Sequence, residues 1–233
     1  MAITRGTGLM RAFALIRHGD YRQKKDTPSA HQPYPLTAKG EQQARDCALL
    51  LQKAASDLEL GLSSVMHSST LLRAWQTAEI IRRELAVDEG QLLQSDALTE
   101  RCVGSAANLT IDEIEQLLEQ DPRYPSPPEN WKSRSDYCLP LPGAESLQQA
   151  GERVASYISQ LADESADNSL TVIVGHGAAL RHGASNLGIL SESDVANLSM
   201  HHAQPVIIAC TEAGWVHLAG QWKPRTSPRE FTD

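Results

Sequence analysis

An apolar run, Ala12 to Ile16, breaks off abruptly into Arg17-His18-Gly19. The run is short enough for a buried strand, and a glycine directly after it marks a sharp turn. Arg17 and His18 are therefore expected at the carboxyl end of a central strand, the edge of an open α/β sheet where ligands bind. A guanidinium is a fixed cationic fork matched to phosphate oxygens, and a neutral imidazole is a nucleophile or general base. Taken alone, the pattern fits a strand that merely ends in two polar residues equally well. The rest of the chain has to decide.

A later strand end carries the same mark: Ser169 to Val174 is apolar and β-branched and leads into Gly175-His176-Gly177. Between these two ends, Thr37 suits the N-cap of an amphipathic helix over Ala38 to Ala55, in which Ala44, Cys47, Ala48, Leu51 and Ala55 recur at helical spacing. Leu62 to His67 reads as a strand closed by Ser68-Ser69-Thr70. It leads into a helix whose inner face is Leu71, Trp75, Ala78, Ile81 and Leu85, with Arg73 in its first turn. Gln91 to Ser95 suits a further strand. Leu147, Ala150, Val154, Ile158 and Leu161 line another long helix, and Ala178 to Leu187 is expected to leave the second histidine turn as a helix. Pro205 to Cys210 and Trp215 to Ala219 read as a terminal hairpin. Strands alternating with long helices predict a three-layer α/β/α sandwich with a mainly parallel central sheet. Parallel strands bring their carboxyl ends to one rim, so Arg17, His18, Arg73 and His176 can converge. Guanidiniums and imidazoles around one point make a pocket for a doubly charged phosphoryl group.

The middle of the chain is different. Arg101 to Gly143 gathers Pro125, Pro127, Pro128, Pro140 and Pro142 around one helical piece, Ile111 to Leu118. It reads as an insertion folded over the carboxyl edge of the sheet, a lid or substrate wall, with a plain connecting loop as the alternative. Residues 1–233 are expected to form one domain, with a loosely held tail from Trp222. A hydrophobic fraction of 41% and a charged fraction of 21% suit a soluble globular chain. The balance of 21 basic and 29 acidic residues gives a formal charge of -8, which repels nucleic acid and anionic membrane at long range. Cys47, Cys102, Cys138 and Cys210 lie far apart with no C-x-x-C pair, as reduced thiols do. Met1 to Met10 has no apolar signal segment, and no apolar run is long enough to span a bilayer, so a cytoplasmic location is expected.

Several of these segments together resemble a known family. Leu15-Ile16-Arg17-His18-Gly19 is similar to the R-H-G signature of the histidine phosphatase superfamily, the phosphoglycerate-mutase-like fold. Leu36-Thr37-Ala38-Lys39-Gly40-Glu41-Gln42-Gln43-Ala44 resembles its L-T-x-x-G-x-x-Q-A helix start. Ser68 to Ala78 resembles its S-S-x-x-x-R-A-x-Q-T-A segment, Gly143-Ala144-Glu145-Ser146 its G-E-S segment with one residue inserted, and Val174-Gly175-His176-Gly177 its second histidine. The resemblance implies that His18 is the nucleophile and that Arg17, Arg73 and His176 hold the phosphoryl oxygens as charge builds. Leu98-Thr99-Glu100-Arg101-Cys102-Val103-Gly104 resembles the family's L-x-E-R-x-x-G segment. This implies that Glu100 is the acid that protonates the leaving alcohol and then the base that activates water. Phosphoryl transfer depends mainly on positioning and electrostatic stabilisation, so no metal or cofactor is implied. The implied substrate is a phosphorylated small molecule or a phosphoprotein.

The departures bear on the reaction. Mutases of the bisphosphoglycerate type read R-H-G-E-S-x-x-N, and here Asp20, Tyr21 and Lys24 stand at the last-named positions. Lys132 and Arg134 are the nearby candidates for holding a second anionic group. Hydrolysis by a phosphomonoesterase is therefore expected over a phosphoglycerate-type mutase; a non-catalytic phosphate-binding module is the third reading. Tyr21, Tyr34, Tyr124 and Trp131 either wall an apolar leaving group or pack the insertion down. His67 is expected to pack at a strand end, His201-His202 to sit in a loop or strand edge, and His182 on a helix face away from His176. Arg181 is expected at the rim or in solvent.

Overall fold

The computed structural model of the protein describes residues 10–27, 31–86 and 90–225. The amino-terminal stretch read for a signal segment lies outside the described residues, except for Met10. Residues 28–30 of the loop after the first strand and the last part of the tail, 226–233, also lie outside them.

Strand β1 (Arg11–Arg17) is followed by helix α1 (Ala38–Leu58), β2 (Gly61–Ser69), α2 (Leu72–Glu84) and β3 (Gln91–Ser95). After the Pro-rich stretch with α3 (Ile111–Gln120) come α4 (Leu147–Glu164), β4 (Ser169–Gly175), α5 (Gly177–Asn186) and α6 (Glu192–Asn197). The chain continues as β5 (Leu198–Ser199), the hairpin β6 (Val206–Thr211) and β7 (Gly214–Ala219), and β8 (Lys223–Pro224). The main sheet runs β3-β2-β4-β1-β6-β7. β3, β2, β4 and β1 are parallel neighbours, and the β6–β7 hairpin adds antiparallel strands beyond β1. The sheet is thus mixed, with its parallel part carrying the histidine turns.

Alternation along β1 explains the layers. Successive side chains point to opposite faces, so Ala12, Ala14 and Ile16 join one core while Phe13 and Leu15 join the other. The first core is completed by Ala44, Cys47 and Leu51 of α1 and by Ala74, Ala78 and Ile81 of α2. The second is completed by Ala150, Val154 and Ile158 of α4 and by Ala179, Leu180 and Ala184 of α5. Helices therefore cover both faces, giving the α/β/α sandwich.

Register sets the rim. Arg17 lies level with Gly175 across β1 and β4, and Ser68 lies level with Val174 across β2 and β4. The turns after all three strands consequently open at the same height. β2 runs beyond the expected end at His67, through Ser69, because β3 pairs with Ser68 and Ser69. Hydrogen bonding to a neighbouring strand overrides the weak strand preference of serine.

The Pro-rich stretch has its own apolar cluster, so a plain connecting loop is the wrong description. Val103, Ala106, Ile114, Leu118, Trp131 and Leu139 are buried together. Helix α3 starts with a capping box in which Thr110 and Glu113 satisfy each other's backbone N–H groups. The tail also needs correction. Lys223 and Pro224 pair with Ser199 and Leu198, and the Arg225 N–H donates to the Asn197 carbonyl at 2.9 Å. Backbone pairing therefore holds the chain through Arg225, past the expected loosening at Trp222.

Candidate active site

The backbone after β1 is fixed before any side chain acts. The His18 N–H donates to the Gly175 carbonyl at 3.0 Å and ties the two histidine turns together. The Gly19 N–H donates to Thr77 Oγ1 at 3.0 Å, and the Asp20 N–H to Gln43 Oε1 at 2.8 Å. Gly40 lies against this turn so closely that a Cβ there would collide with the Asp20 carbonyl. The glycine and glutamine of the α1 start thus hold the nucleophile's turn in place, a task their helical positions do not reveal.

Arg17, His18, Arg73, Glu100 and His176 are all buried and drawn together. Arg73, in the first turn of α2, donates from Nε to His18 Nε2 at 3.1 Å and from Nη2 to His176 Nδ1 at 3.1 Å. A guanidinium only donates, so both ring nitrogens are acceptors. His18 Nδ1 must then be the N–H that donates to the Gly19 carbonyl at 2.7 Å, and His176 Nε2 the N–H that donates to Ser69 Oγ at 2.9 Å. The network assigns these tautomers and leaves the lone pair of His18 on Nε2, facing the guanidinium. Burial, then Arg73, then the neighbouring cations and rings hold both imidazoles well below the ordinary histidine value, so both are neutral. Arg17 donates from Nη1 to the Met200 carbonyl at 3.1 Å.

Glu100 is held on the same rim by backbone. Its Oε1 accepts from the N–H groups of Arg101 and Ala179, both at 2.9 Å, and its Oε2 from Ala178 at 3.0 Å. Ala178 and Ala179 are in the first turn of α5, where free N–H groups and the helix dipole favour an anion. The segment carrying Glu100 is clamped from behind. Arg153 forms a paired contact with Glu145 at 2.7 and 3.0 Å, and donates to the carbonyls of Ala97 and Glu100. Glu145 in turn accepts from the Cys102 N–H at 2.9 Å.

Other residues have roles the sequence did not show. His202 donates from Nδ1 to the His18 carbonyl at 2.7 Å and its ring centre lies 5.5 Å from that of His18. The residue read as a loop or strand-edge histidine thus braces the nucleophile. Its doubled position beside His201 was visible, but nothing in the sequence linked it to a strand 184 residues earlier. Ser69, Thr77 and Gln32 are likewise drawn in. The Gln32 carbonyl accepts from Arg73 Nη1 at 3.2 Å, so the loop after β1 covers the guanidinium.

Of the candidate wall aromatics, Tyr21 alone lies against the nucleophile. Its ring meets His18 edge-on at 5.1 Å, and the Arg73 guanidinium lies 4.5 Å from its centre. Trp131 and Tyr124 pack the insertion, while Tyr34 is exposed. Arg134 pairs with Asp136 at 2.9 Å on the surface. His67 packs against the Tyr157 hydroxyl at 2.9 Å. His182 is buried between the Ala178 carbonyl and Ser135 Oγ. Arg181 is buried too, contrary to the expectation of rim or solvent. Among the described residues no group of three or more His, Cys, Asp or Glu is placed to hold a metal ion.

A sequence model of the histidine phosphatase superfamily (branch 1) matches residues 13–222. The chain belongs to the histidine phosphatase superfamily. One relative in this superfamily is the 2,3-bisphosphoglycerate-dependent phosphoglycerate mutase of Parvibaculum lavamentivorans, 26% identical over 206 residues, covering 88% of this chain and 92% of the mutase. The mutase of the same name from Bartonella bacilliformis is 29% identical over 201 residues, covering 85% and 92% of the two chains. Among solved structures, mycobacterial glucosyl-3-phosphoglycerate phosphatase has a TM-score of 0.66 at 18% identity, covering 93% of this chain and 100% of that one. Alpha-ribazole phosphatase from Shigella flexneri has a TM-score of 0.65 at 22% identity, covering 94% and 97%. These structural likenesses establish the fold that this chain shares with histidine phosphatases.

Proposed function

We propose that this histidine phosphatase superfamily member is a metal-independent phosphomonoesterase acting through a phosphohistidine on His18. The observation that carries the reading is the Arg73–His18–Gly19 arrangement, which keeps a neutral imidazole with its Nε2 lone pair inside a cationic pocket. When a phosphate monoester enters, Arg73 exchanges the imidazole for phosphoryl oxygens, joined by Arg17 and His176. His18 Nε2 attacks phosphorus as the ester P–O bond breaks, and Glu100 gives the leaving alcohol its proton. The guanidiniums stabilise the charge spread over the equatorial oxygens. Water then attacks phosphorus and gives a proton back to Glu100 as the P–N bond breaks, its electron pair returning to His18 Nε2, and phosphate is released. The substrate is a phosphorylated small molecule, a class to which the named substrate of the mycobacterial neighbour also belongs.

A phosphoglycerate-type mutase is the second reading, favoured by the names of the sequence relatives. Against it stand Tyr21, which lies beside His18 and Arg73 where the mutase motif R-H-G-E-S has serine, and Arg134, which is turned to Asp136. The deciding experiment measures 4-nitrophenyl phosphate hydrolysis with excess chelator, comparing the unmodified chain with His18→Ala. A parallel assay follows isomerisation of 3-phosphoglycerate in the presence of 2,3-bisphosphoglycerate. Chelator-resistant hydrolysis that disappears in His18→Ala, with little isomerisation, is expected. Isomerisation faster than hydrolysis overturns the phosphatase reading in favour of the mutase. Binding of phosphate with no turnover in either assay overturns both.

A further inference from the structure

Two helices place Glu100 from opposite ends. Its carboxylate accepts from the first-turn amides of α5, Ala178 and Ala179, just beyond His176. Its main-chain carbonyl accepts from Arg153 Nη2 of α4 at 3.1 Å. Between β3 and α3 the backbone has only short 3-10 turns, so no sheet register fixes it there. Arg153 supplies the missing register. Its Nη1 donates to the carbonyls of Asp96 at 3.4 Å and Ala97 at 2.8 Å. Its Nη2 also donates to Glu145 Oε1 at 2.7 Å, and its Nε to Glu145 Oε2 at 3.0 Å. A guanidinium has five N–H donors in a rigid fork, and Arg153 spends every one of them here. A lysine, a point charge on a flexible stem, cannot reproduce that pattern.

The two helices are locked to each other. A Cβ on Gly151 of α4 would collide with His182 of α5, and one on Gly183 of α5 with Val154 of α4. Packing this close leaves no room for one helix to slide along the other. The backbone of Glu100, its carboxylate and the His176 turn are thereby held in one frame. Glu145 extends that frame into the insertion. It accepts from the Cys102 N–H at 2.9 Å, and its own N–H donates to the Cys102 carbonyl at 2.9 Å. Val103 pairs with Ala144, and the Ser105 N–H donates to the Pro142 carbonyl at 3.0 Å. These bonds close the neck of the insertion within a few residues of Glu100.

We propose that Arg153 is a positioning residue for the reaction, holding the Glu100 carboxyl where its proton passes to the leaving oxygen as the ester P–O bond breaks. Glu145 ties that placement to the neck of the insertion. The inference rests on the reading of Glu100 as the acid. A misplacement of about 1 Å costs on the order of 100-fold in rate. That loss falls on leaving groups that need a proton. Nitrophenolate departs without one, whereas more basic phenolates and alkoxides do not.

The test measures kcat/KM over a series of esters from 4-nitrophenyl phosphate through phenyl phosphate to alkyl phosphates. This ratio reports the steps up to loss of the alcohol. Arg153→Met, which keeps the apolar stem and removes the fork, should leave 4-nitrophenyl phosphate nearly unchanged. It should lose about 100-fold on the most basic leaving group that the unmodified chain turns over. Glu145→Gln should follow the same order with a smaller loss, and it serves together with Arg153→Lys if the methionine variant fails to fold. In a Glu100→Gln chain the acid is already gone, so Arg153→Met should cost nothing further. A loss equal across the series, or one that adds in full to that of Glu100→Gln, overturns the positioning role and leaves the phosphatase reading intact. Full activity of Glu100→Gln on the most basic leaving group overturns the acid on which the inference rests. A fully active His18→Ala overturns the phosphohistidine reading as well.

Discussion

The two halves of the site are built differently. Arg17, His18, Ser69 and His176 sit at the tips of parallel strands whose registers coincide, with β1 and β4 buried on both faces and β2 buried over its last four residues. Tyr21 and Gln32 come from a loop, and Glu100 from the edge of an insertion with a small core of its own. Sheet register fixes the tips to a fraction of an ångström, and changing it would expose whole core faces. The loop is held by a handful of polar contacts, such as the Gln32 carbonyl on Arg73, each of modest net strength. The proposed nucleophile and phosphoryl clamp are therefore on the rigid half, and the proposed proton donor and the one aromatic beside the nucleophile are on the adaptable half.

The contrast is most strongly broken at Arg73, whose guanidinium donates to His18 and His176 on one half and to the Gln32 carbonyl on the other. Arg73→Met should lower kcat for an aryl phosphate by about 10²–10³-fold, as loss of a transition-state donor does. Yet the melting temperature should hold or rise, because burial already depresses this guanidinium and an apolar replacement removes the penalty. A large fall in melting temperature would show that the bridge is structural. Next is Trp131→Ala, which empties the centre of the insertion's cluster at a local cost of about 3–5 kcal/mol. Hydrogen exchange should quicken for Ile114 and Leu118 but not for Ile16 or Val174, and KM should rise more than kcat falls. Equal loss of protection in both regions would mean that they unfold as one.

Acid should act on the rigid half. His182, buried beneath the α5 turn, is pushed down to about 4 by burial and by Arg181. Unfolded, the same ring takes a proton near pH 6.5. The stabilisation is therefore complete above pH 6.5 and is lost as pH falls towards 4, about 3 kcal/mol for this residue. His18 and His176, also depressed, add to the loss in the same direction. Denaturant midpoints measured between pH 7 and 4 should fall, and His182→Gln should make the decline shallower. A flat profile would contradict the buried neutral state. The smallest effect is expected at Tyr21. Tyr21→Ser should change turnover of a small aryl phosphate a few-fold and raise phosphoryl transfer to an added glycerate acceptor relative to water. No change in that partition would remove Tyr21 from the discrimination.

Local pattern alone determined a good deal of this protein. Apolar runs ending in His-Gly, helical spacing after Thr37 and at Leu147, and the β6–β7 hairpin are short-range signals, each contained within one element. Because parallel strands share a direction, the same signals were enough to bring Arg17, His18, Arg73 and His176 to one rim. Tertiary structure alone decided that Glu100 would lie on the amides of α5, that His202 would brace His18, and that Trp131 would close a core and not a substrate wall. It also decided that the Gln32 carbonyl would cover the Arg73 guanidinium. These residues are polar or solitary, lie in irregular backbone, and meet partners tens to nearly two hundred residues away. Periodicity records which face of an element is buried, but it carries no record of which distant group a single side chain will touch.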